Sequence, residues 1–220
     1  VGRKAEAARG YRQVLAREPE NPDANHLLGV MALEAGNPRT AAELISTAIA
    51  ALPGFAEAHG NLGNALQALG RSDDAIAAYG RAIDLKPDLI QFRCNLATVL
   101  AACGKPVAAL DALKAAIEFA PEHPAPQVLL ARLLRGQGRA TEAETVLMQT
   151  LNRQPGLVEA WVDLCDLLSD SGRHQDAADQ GRRATEACPD AAAVHGALGR
   201  ALQGLRQFDA ACDAFQNAHD

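Results

Sequence analysis

Six prolines, Pro19, Pro53, Pro87, Pro121, Pro155 and Pro189, stand 34 residues apart in a chain that contains only eleven. A fixed period of this length leaves few folds open, because each period must be one small supersecondary unit that repeats. Other columns keep the same step: Gly2, Gly36, Gly70, Gly104, Gly138 and Gly172; Ala7, Ala41, Ala75, Ala109, Ala143, Ala177 and Ala211. Leu28, Leu62, Leu96, Leu130, Leu164 and Leu198 form another, followed at the next position by Gly29, Gly63, Ala97, Ala131, Cys165 and Gly199. No insertion or deletion breaks the register.

The residues between the columns define the unit. Ala75, Ile76, Tyr79, Ala82 and Ile83 are spaced by threes and fours, which predicts an amphipathic helix between glycine and proline, here called B. The segment before the glycine, such as Ala58–Leu69, predicts a second helix, A. Glycine ends A because a left-handed residue there carries no side-chain penalty, and the late proline stops B. Asn37-Pro38 and Lys105-Pro106 place proline at a first helical position, and Thr141-Glu-Ala-Glu144 has the spacing of a capping box. Gly63 and Ala75 let the two helices approach closely, with Leu62 and Leu66 filling the seam. Neither helix buries its apolar face alone, so the pairs must stack. The expected fold is all-α, a right-handed superhelical solenoid of helix pairs with one concave surface. A composition that is 48% hydrophobic but 4% aromatic suits such packing.

In this register 1–220 is a single array: a lone helix B over about 1–21, full repeats at 22–55, 56–89, 90–123, 124–157 and 158–191, and a nearly complete one at 192–220. It starts and stops in mid-repeat, so both ends are expected to expose apolar faces and the natural protein to continue. Self-association through the terminal helices is one use of those faces. Two positions depart from the pattern: Gly181 stands where other repeats have a bulky residue, and Arg206 replaces the turn glycine, with Gly204 two positions earlier.

The run Ala56-Glu-Ala-His-Gly-Asn-Leu-Gly63 with Gly70, Ala75, Tyr79, Ala82 and Pro87 resembles the tetratricopeptide repeat (TPR) signature, and Trp161-Val-Asp-Leu164 supplies the family's tryptophan. The resemblance implies that A helices line an inner wall along which an extended protein or peptide segment lies. Helical spacing on that face gives the candidate lining. It comprises His26, Asn61, Asn64, Gln67, Gln91, Asn95 and Thr98, then Arg132 and Arg135, then Glu159, Asp163, Asp166 and Asp170. The peptide-binding set among these is Asn61, Asn64, Gln91, Asn95, Thr98, Arg132, Arg135, Asp163 and Asp166. Asn61 and Asn95 share a column with Asp163, while Leu27, Leu129 and Ala197 occupy it elsewhere. Side-chain amides bond a ligand's backbone N–H and C=O whatever its sequence. The arrangement is similar to a partial version of the asparagine ladder in O-linked N-acetylglucosamine transferases. Arg132 is expected either to grip an acidic side chain or to pair with Asp166 across adjacent repeats. The four lysines (Lys4, Lys86, Lys105, Lys114) are absent from the inner face of the A helices, which argues against the carboxylate clamp of chaperone-tail-binding members.

Other functions find little support. A net charge of −6 gives no basic footprint for nucleic acid or an anionic membrane. No run of about 18 apolar residues marks a membrane span, and the charged Val1–Gly10 does not resemble a secretory signal. Cys94, Cys103, Cys165, Cys188 and Cys212 are far apart and odd in number, as buried thiols of a cytoplasmic protein would be. His26, His59, His123, His174, His195 and His219 show no metal-ligand spacing, and His59 and His195 share the column of Trp161, where interhelix packing is the expected role. Asp163 and Asp166 lack an opposing histidine, and Gly136-Gln-Gly138 is a helix-ending turn rather than a phosphate loop. No catalytic residue, cofactor or metal is expected. The expected function is a binding scaffold. The alternative is the substrate-recruiting part of a larger glycosyltransferase, sulfotransferase or methyltransferase whose catalytic domain lies outside these residues. The alanine-, arginine- and glycine-rich usage suggests a bacterium with a GC-rich genome.

Overall fold

The computed structural model describes residues 2–218, with the backbone alone for residues 2 and 3, so His219 lies outside the described residues. Among them are thirteen helices: α1 (Gly2–Leu15), α2 (Pro22–Glu34), α3 (Pro38–Ala51), α4 (Ala56–Ala68), α5 (Ser72–Leu85), α6 (Ile90–Ala102), α7 (Pro106–Phe119), α8 (Pro124–Gly136), α9 (Ala140–Arg153), α10 (Val158–Asp170), α11 (His174–Ala187), α12 (Ala192–Gly204) and α13 (Phe208–Asn217). No described residue is in a strand. Even-numbered helices are the A type and odd-numbered the B type. The chain divides into two compact units, Val1–Phe119 and Ala120–Asp220, each an α-α solenoid stack.

Each A helix ends in the same turn. Gly36, Gly70, Gly104, Gly138 and Gly172 have φ of 76°, 73°, 70°, 74° and 73°, a left-handed conformation that costs glycine nothing. The following amide reaches back five residues, as in Asn37 N–H to Ala32 O (2.8 Å) and Arg71 N–H to Leu66 O (2.9 Å), which closes a Schellman motif. Arg206 adopts the same turn at φ 60°, with Gln207 N–H to Leu202 O at 3.0 Å. The register is therefore kept at the expense of backbone strain. Gly204 does not take over the turn; it is the last residue of α12, and a Cβ there would lie 2.5 Å from Nδ1 of His174.

At the opposite corner, a proline just past helix B leaves its carbonyl without a helical partner. A side chain six residues on, inside the next A helix, donates to it in all six cases. Asn25 bonds Pro19 O (2.9 Å), His59 bonds Pro53 O (2.9 Å) and Arg93 bonds Pro87 O (3.2 Å). Gln127 bonds Pro121 O, Trp161 bonds Pro155 O and His195 bonds Pro189 O, each at 2.7 Å. The role expected for His59, His195 and Trp161 was packing; what unites the column is a side-chain N–H. A carbonyl only accepts, so His59 and His195 each carry the proton on Nε2.

Within a pair, glycine makes room for bulk. A Cβ on Gly63 would lie 2.6 Å from the Tyr79 ring, one on Gly199 2.6 Å from Phe215, and one on Gly29 2.5 Å from Ile45. The same two columns hold Ala97 with Leu113 and Ala131 with Leu147, so the aromatic B residues, Tyr79 and Phe215, both stand opposite glycine. Cys165 with Gly181 reverses the order, and there the backbone of Leu198 closes in, 3.1 Å from where a Gly181 Cβ would stand. The unit Val1–Phe119 has its core around Tyr79, Ala75, Ala82, Leu66 and Phe92, with the Tyr79 and Phe92 rings stacked at 6.2 Å. In Ala120–Asp220, Leu147, Trp161, Leu164, Leu168 and Val194 are buried.

Two sequence expectations fail locally. Thr141 and Glu144 do not form a capping box: α9 begins at Ala140, so Thr141 is already inside the helix, and Glu144 instead accepts from Arg173 at 2.6 Å. Arg139, at the cap position, closes the helix start by a two-pronged bond to Glu142 at 2.7 Å. Cys94 and Cys165 are buried as expected, and burial pushes their thiols up to about 11 and about 12, but Cys212 is exposed.

Gly63→Ala should cost about 1–3 kcal/mol by overpacking against Tyr79, and the cost should shrink in a Tyr79→Leu background, because Ala and Leu coexist in these columns elsewhere; urea denaturation of the two single variants and the double variant measures the coupling. Arg206→Gly should raise unfolding free energy by about 1 kcal/mol, removing the strain of a left-handed non-glycine residue. An unchanged midpoint would mean that the Arg206 side chain offsets that strain.

Candidate functional site

The sequence-predicted lining falls into two sets, one in each unit. In Val1–Phe119, four amides and a histidine join into one directed chain. Gln91 Nε2 donates to Asn95 Oδ1 (2.9 Å), Asn95 Nδ2 to Asn64 Oδ1 (2.8 Å), Asn64 Nδ2 to Asn61 Oδ1 (3.2 Å), and Asn61 Nδ2 to Nε2 of His26 (2.9 Å). The chain crosses three A helices, α2, α4 and α6, because side chains at equivalent helical turns on stacked helices come within reach of one another. Every donor points toward His26, and bonds aligned in one sense polarise and strengthen each other. Thr98 stays outside it; its hydroxyl donates to Cys94 O on its own helix at 2.9 Å.

Tyr79, which the sequence offered only as core, rises from α5 beneath this chain. Its hydroxyl lies 2.8 Å from Asn64 Oδ1 and 2.9 Å from Gln67 Oε1, and its single proton serves one at a time. Burial pushes the phenol up to about 12, so it remains a donor at neutral pH. The count of spent bonds then distinguishes the amides. Asn64 has its oxygen saturated when Tyr79 points at it. Asn61 and Asn95, one period apart, each keep one N–H and one oxygen lone pair outside these bonds. That pair of groups is what a peptide unit requires.

His26 accepts from an amide N–H at Nε2, which requires the neutral ring with its proton on Nδ1. Its ring meets Phe55 edge-on at 4.6 Å. Burial lowers its pKa below 6.5, against the opposing pull of Glu57 and Asp23.

In Ala120–Asp220 the A-helix faces carry ion pairs. Arg132 bonds Asp163 (2.6 Å), Arg135 bonds Asp170, and Asp166 bonds Arg200 (2.8 Å). The expected pairing of Arg132 with Asp166 does not occur: Asp163 lies nearer to Arg132 across the helix crossing, and Asp166 turns to the arginine one period later. Arg200 was overlooked, although its place in the column of Arg132 and Asp166 was visible. Asp163 is mostly buried, and burial holds its carboxyl above the usual range despite the Arg132 hydrogen bond that pulls it down. The other pairs are more open to solvent and add little to stability. Glu159 is exposed.

Family models described as tetratricopeptide repeat match residues 1–56, 56–89 and 100–168. The chain belongs to the tetratricopeptide repeat family. Among solved structures it is similar to a tetratricopeptide repeat protein from Parabacteroides merdae, at 15% identity over 96% of this chain and 84% of that one, with a TM-score of 0.71. It is similar to pilF of Pseudomonas aeruginosa at 19% identity, covering 89% of each chain, with a TM-score of 0.70. It is also similar to YrrB, described as a TPR protein with an unusual peptide-binding site, at 16% identity over 85% of this chain and 96% of that one, with a TM-score of 0.62. At these identities the likeness is one of fold. No curated protein matches the sequence. Repeats of this family are generally non-catalytic and bind protein or peptide partners, so the chain is a protein-interaction scaffold. No helix among the described residues is long and apolar enough to cross a membrane.

The His26 geometry carries a pH dependence. Because its folded pKa lies below the unfolded value, the unfolded chain takes up the proton first as pH falls. The stability tied to neutral His26 is complete above about pH 6.5 and is lost as pH falls through the folded pKa. Chemical denaturation between pH 7.5 and 5 should therefore show a loss that is reduced in His26→Gln; parallel curves for the two proteins would remove His26 as its source.

Proposed function

We propose that the chain binds an extended segment of a partner protein along the A-helix face of the unit Val1–Phe119, with Asn61 and Asn95 as the groups that hold its backbone. The observation that carries this reading is the directed amide chain. It fixes both side chains in place yet leaves each with one donor and one acceptor for a peptide group. Immobilising a long side chain costs about 0.5–1.5 kcal/mol on binding, and amides already held by His26, Asn64 and Gln91 have met most of that cost beforehand. Recognition of backbone rather than side chains makes binding tolerant of partner sequence.

Arg132, Arg135, Asp163 and Asp166 play a lesser part in this reading. Each is already paired within its unit, so a partner's charge gains only the difference between two ion pairs. Gln91 and Thr98 border the amide row and contribute through exposed polar atoms.

Peptide display against the whole chain tests the proposal. Selected 12-residue peptides should bind about fivefold more weakly for each of Asn61→Ala and Asn95→Ala, as expected for about 1 kcal/mol per lost hydrogen bond. N-methylation of peptide-backbone nitrogens should weaken binding more than alanine replacement of most peptide side chains. Peptides unaffected by both asparagine substitutions would locate binding elsewhere.

A further inference from the structure

The amide chain across α2, α4 and α6 has a titratable group at one end and solvent at the other. His26 is buried against Phe55, whereas Gln91 is exposed. Between them, each contact joins one end of an amide to one end of the next. The same contacts are therefore satisfied in two senses. In one, every donor faces His26, whose Nε2 accepts. In the other, each amide has exchanged its oxygen and nitrogen. His26 Nε2–H then donates to Asn61 Oδ1, Asn61 Nδ2 to Asn64 Oδ1, Asn64 Nδ2 to Asn95 Oδ1, and Asn95 Nδ2 to Gln91 Oε1. The first sense requires the neutral ring; the imidazolium, a donor at both nitrogens, admits only the second.

The surroundings accommodate both senses. The Tyr79 hydroxyl lies 2.8 Å from Asn64 Oδ1 and 2.9 Å from Gln67 Oε1, with one proton for the two. After the exchange that proton goes to Gln67, and the phenol oxygen accepts from Asn64 Nδ2. At Gln91 water meets either end of the amide. Intermediate stops are disfavoured. Turning Asn61 alone sets its Nδ2 against Nδ2 of Asn64, and each further turn moves the same clash of donors one contact along until Gln91 is reached.

We propose that protonation of His26 reverses this chain, exchanging the free donor and the free acceptor that Asn61 and Asn95 offer to a peptide backbone, and so releases the bound segment as pH falls. The release rests on the reading of Asn61 and Asn95 as backbone-binding groups; the reversal does not. The charges acting on the ring come from Glu57 on α4, itself 2.8 Å from Lys86 of α5, and from Asp23 on α2. Among the described residues α1 and α3 add none. Burial opposes the cation and outweighs both carboxylates, so the proton arrives only below the ring's ordinary value of 6.5.

The test is an NMR titration of the isotope-labelled whole chain from pH 7.5 down to the point where far-UV circular dichroism first falls. The ring nitrogens of His26 report its proton, and the side-chain amide resonances of Asn61, Asn64, Asn95 and Gln91 report the chain. All four amides should shift with the His26 midpoint, and none should shift at that midpoint in His26→Gln. In Asn64→Leu, which cuts the chain while Gln67 keeps the Tyr79 hydroxyl, Gln91 should no longer follow His26. Asn95 and Gln91 amides that stay still while His26 titrates would overturn the proposal.

Release is read with peptides that have blocked ends and no ionisable side chain, selected at pH 7.5 and weakened by Asn61→Ala. They should bind the whole chain about tenfold more weakly below the His26 midpoint, because like groups then face each other, and should bind His26→Gln equally at both pH values. Equal binding to the wild-type chain at both pH values would overturn the release. Should no selected peptide depend on Asn61 or Asn95, the backbone-binding reading fails and the release with it, and the amide resonances alone decide the reversal.

Discussion

The corner between one helix pair and the next depends on a single hydrogen bond repeated six times, from a side-chain N–H to the carbonyl of the periodic proline. Proline stops helix B and supplies no N–H of its own, so its carbonyl sits at a tight bend with no backbone partner. The periodic prolines are exposed, so each of these bonds contributes about 0.5–1.5 kcal/mol, as an ordinary protein hydrogen bond does. The donor stands six residues further on, one turn into the next A helix, so satisfying the carbonyl also sets how that helix leaves the corner. Trp161 does this while filling the core with its ring; Arg93 does it from a half-buried position. Stacking, and with it every position on the A-helix faces, follows from that corner.

The helix pairs were legible because glycine, proline and the apolar stripe act locally. Gly36 needs no knowledge of the fold to end α2. What sequence could not show is chemistry carried by unlike residues. Asn25, His59, Arg93, Gln127, Trp161 and His195 share no size, charge or hydropathy, only an N–H at the right reach, so the column looks unpatterned until the proline carbonyl is seen beneath it. The same holds for the partner of Arg132. Neighbouring A helices cross at an angle, so a side chain meets residues 31, 34 or 35 positions on: Asn64 meets Asn95, Asp166 meets Arg200, and His26 meets Asn61. A 34-residue period names the column but not which turn of the next helix faces it.

Size compensation and the candidate binding face are one problem in α4 and α5. Gly63 lacks a side chain, so Tyr79 fits against the helix, and a smaller residue in that place would leave Asn64 and Gln67 without a donor below them. Ile45 and Leu113, in the same column, fill their seams equally well but carry no hydroxyl. Tyrosine at position 79 therefore does what an aliphatic residue would not: it holds one end of its ring in the core and anchors the middle of the amide chain with the other.

That anchoring decides which asparagines are available. Without the phenol, Asn64 would have a spare acceptor and be held only by Asn61 and Asn95. With it, the Asn64 oxygen is filled, and the amides that keep both a spare donor and a spare acceptor are Asn61 and Asn95, on successive A helices. The arginine-aspartate faces of Ala120–Asp220 lack such an anchor; their charges are satisfied across the helices, and their arginine side chains are only partly covered. A residue buried against a glycine thus does more to define the proposed backbone-binding face than any charge exposed upon it.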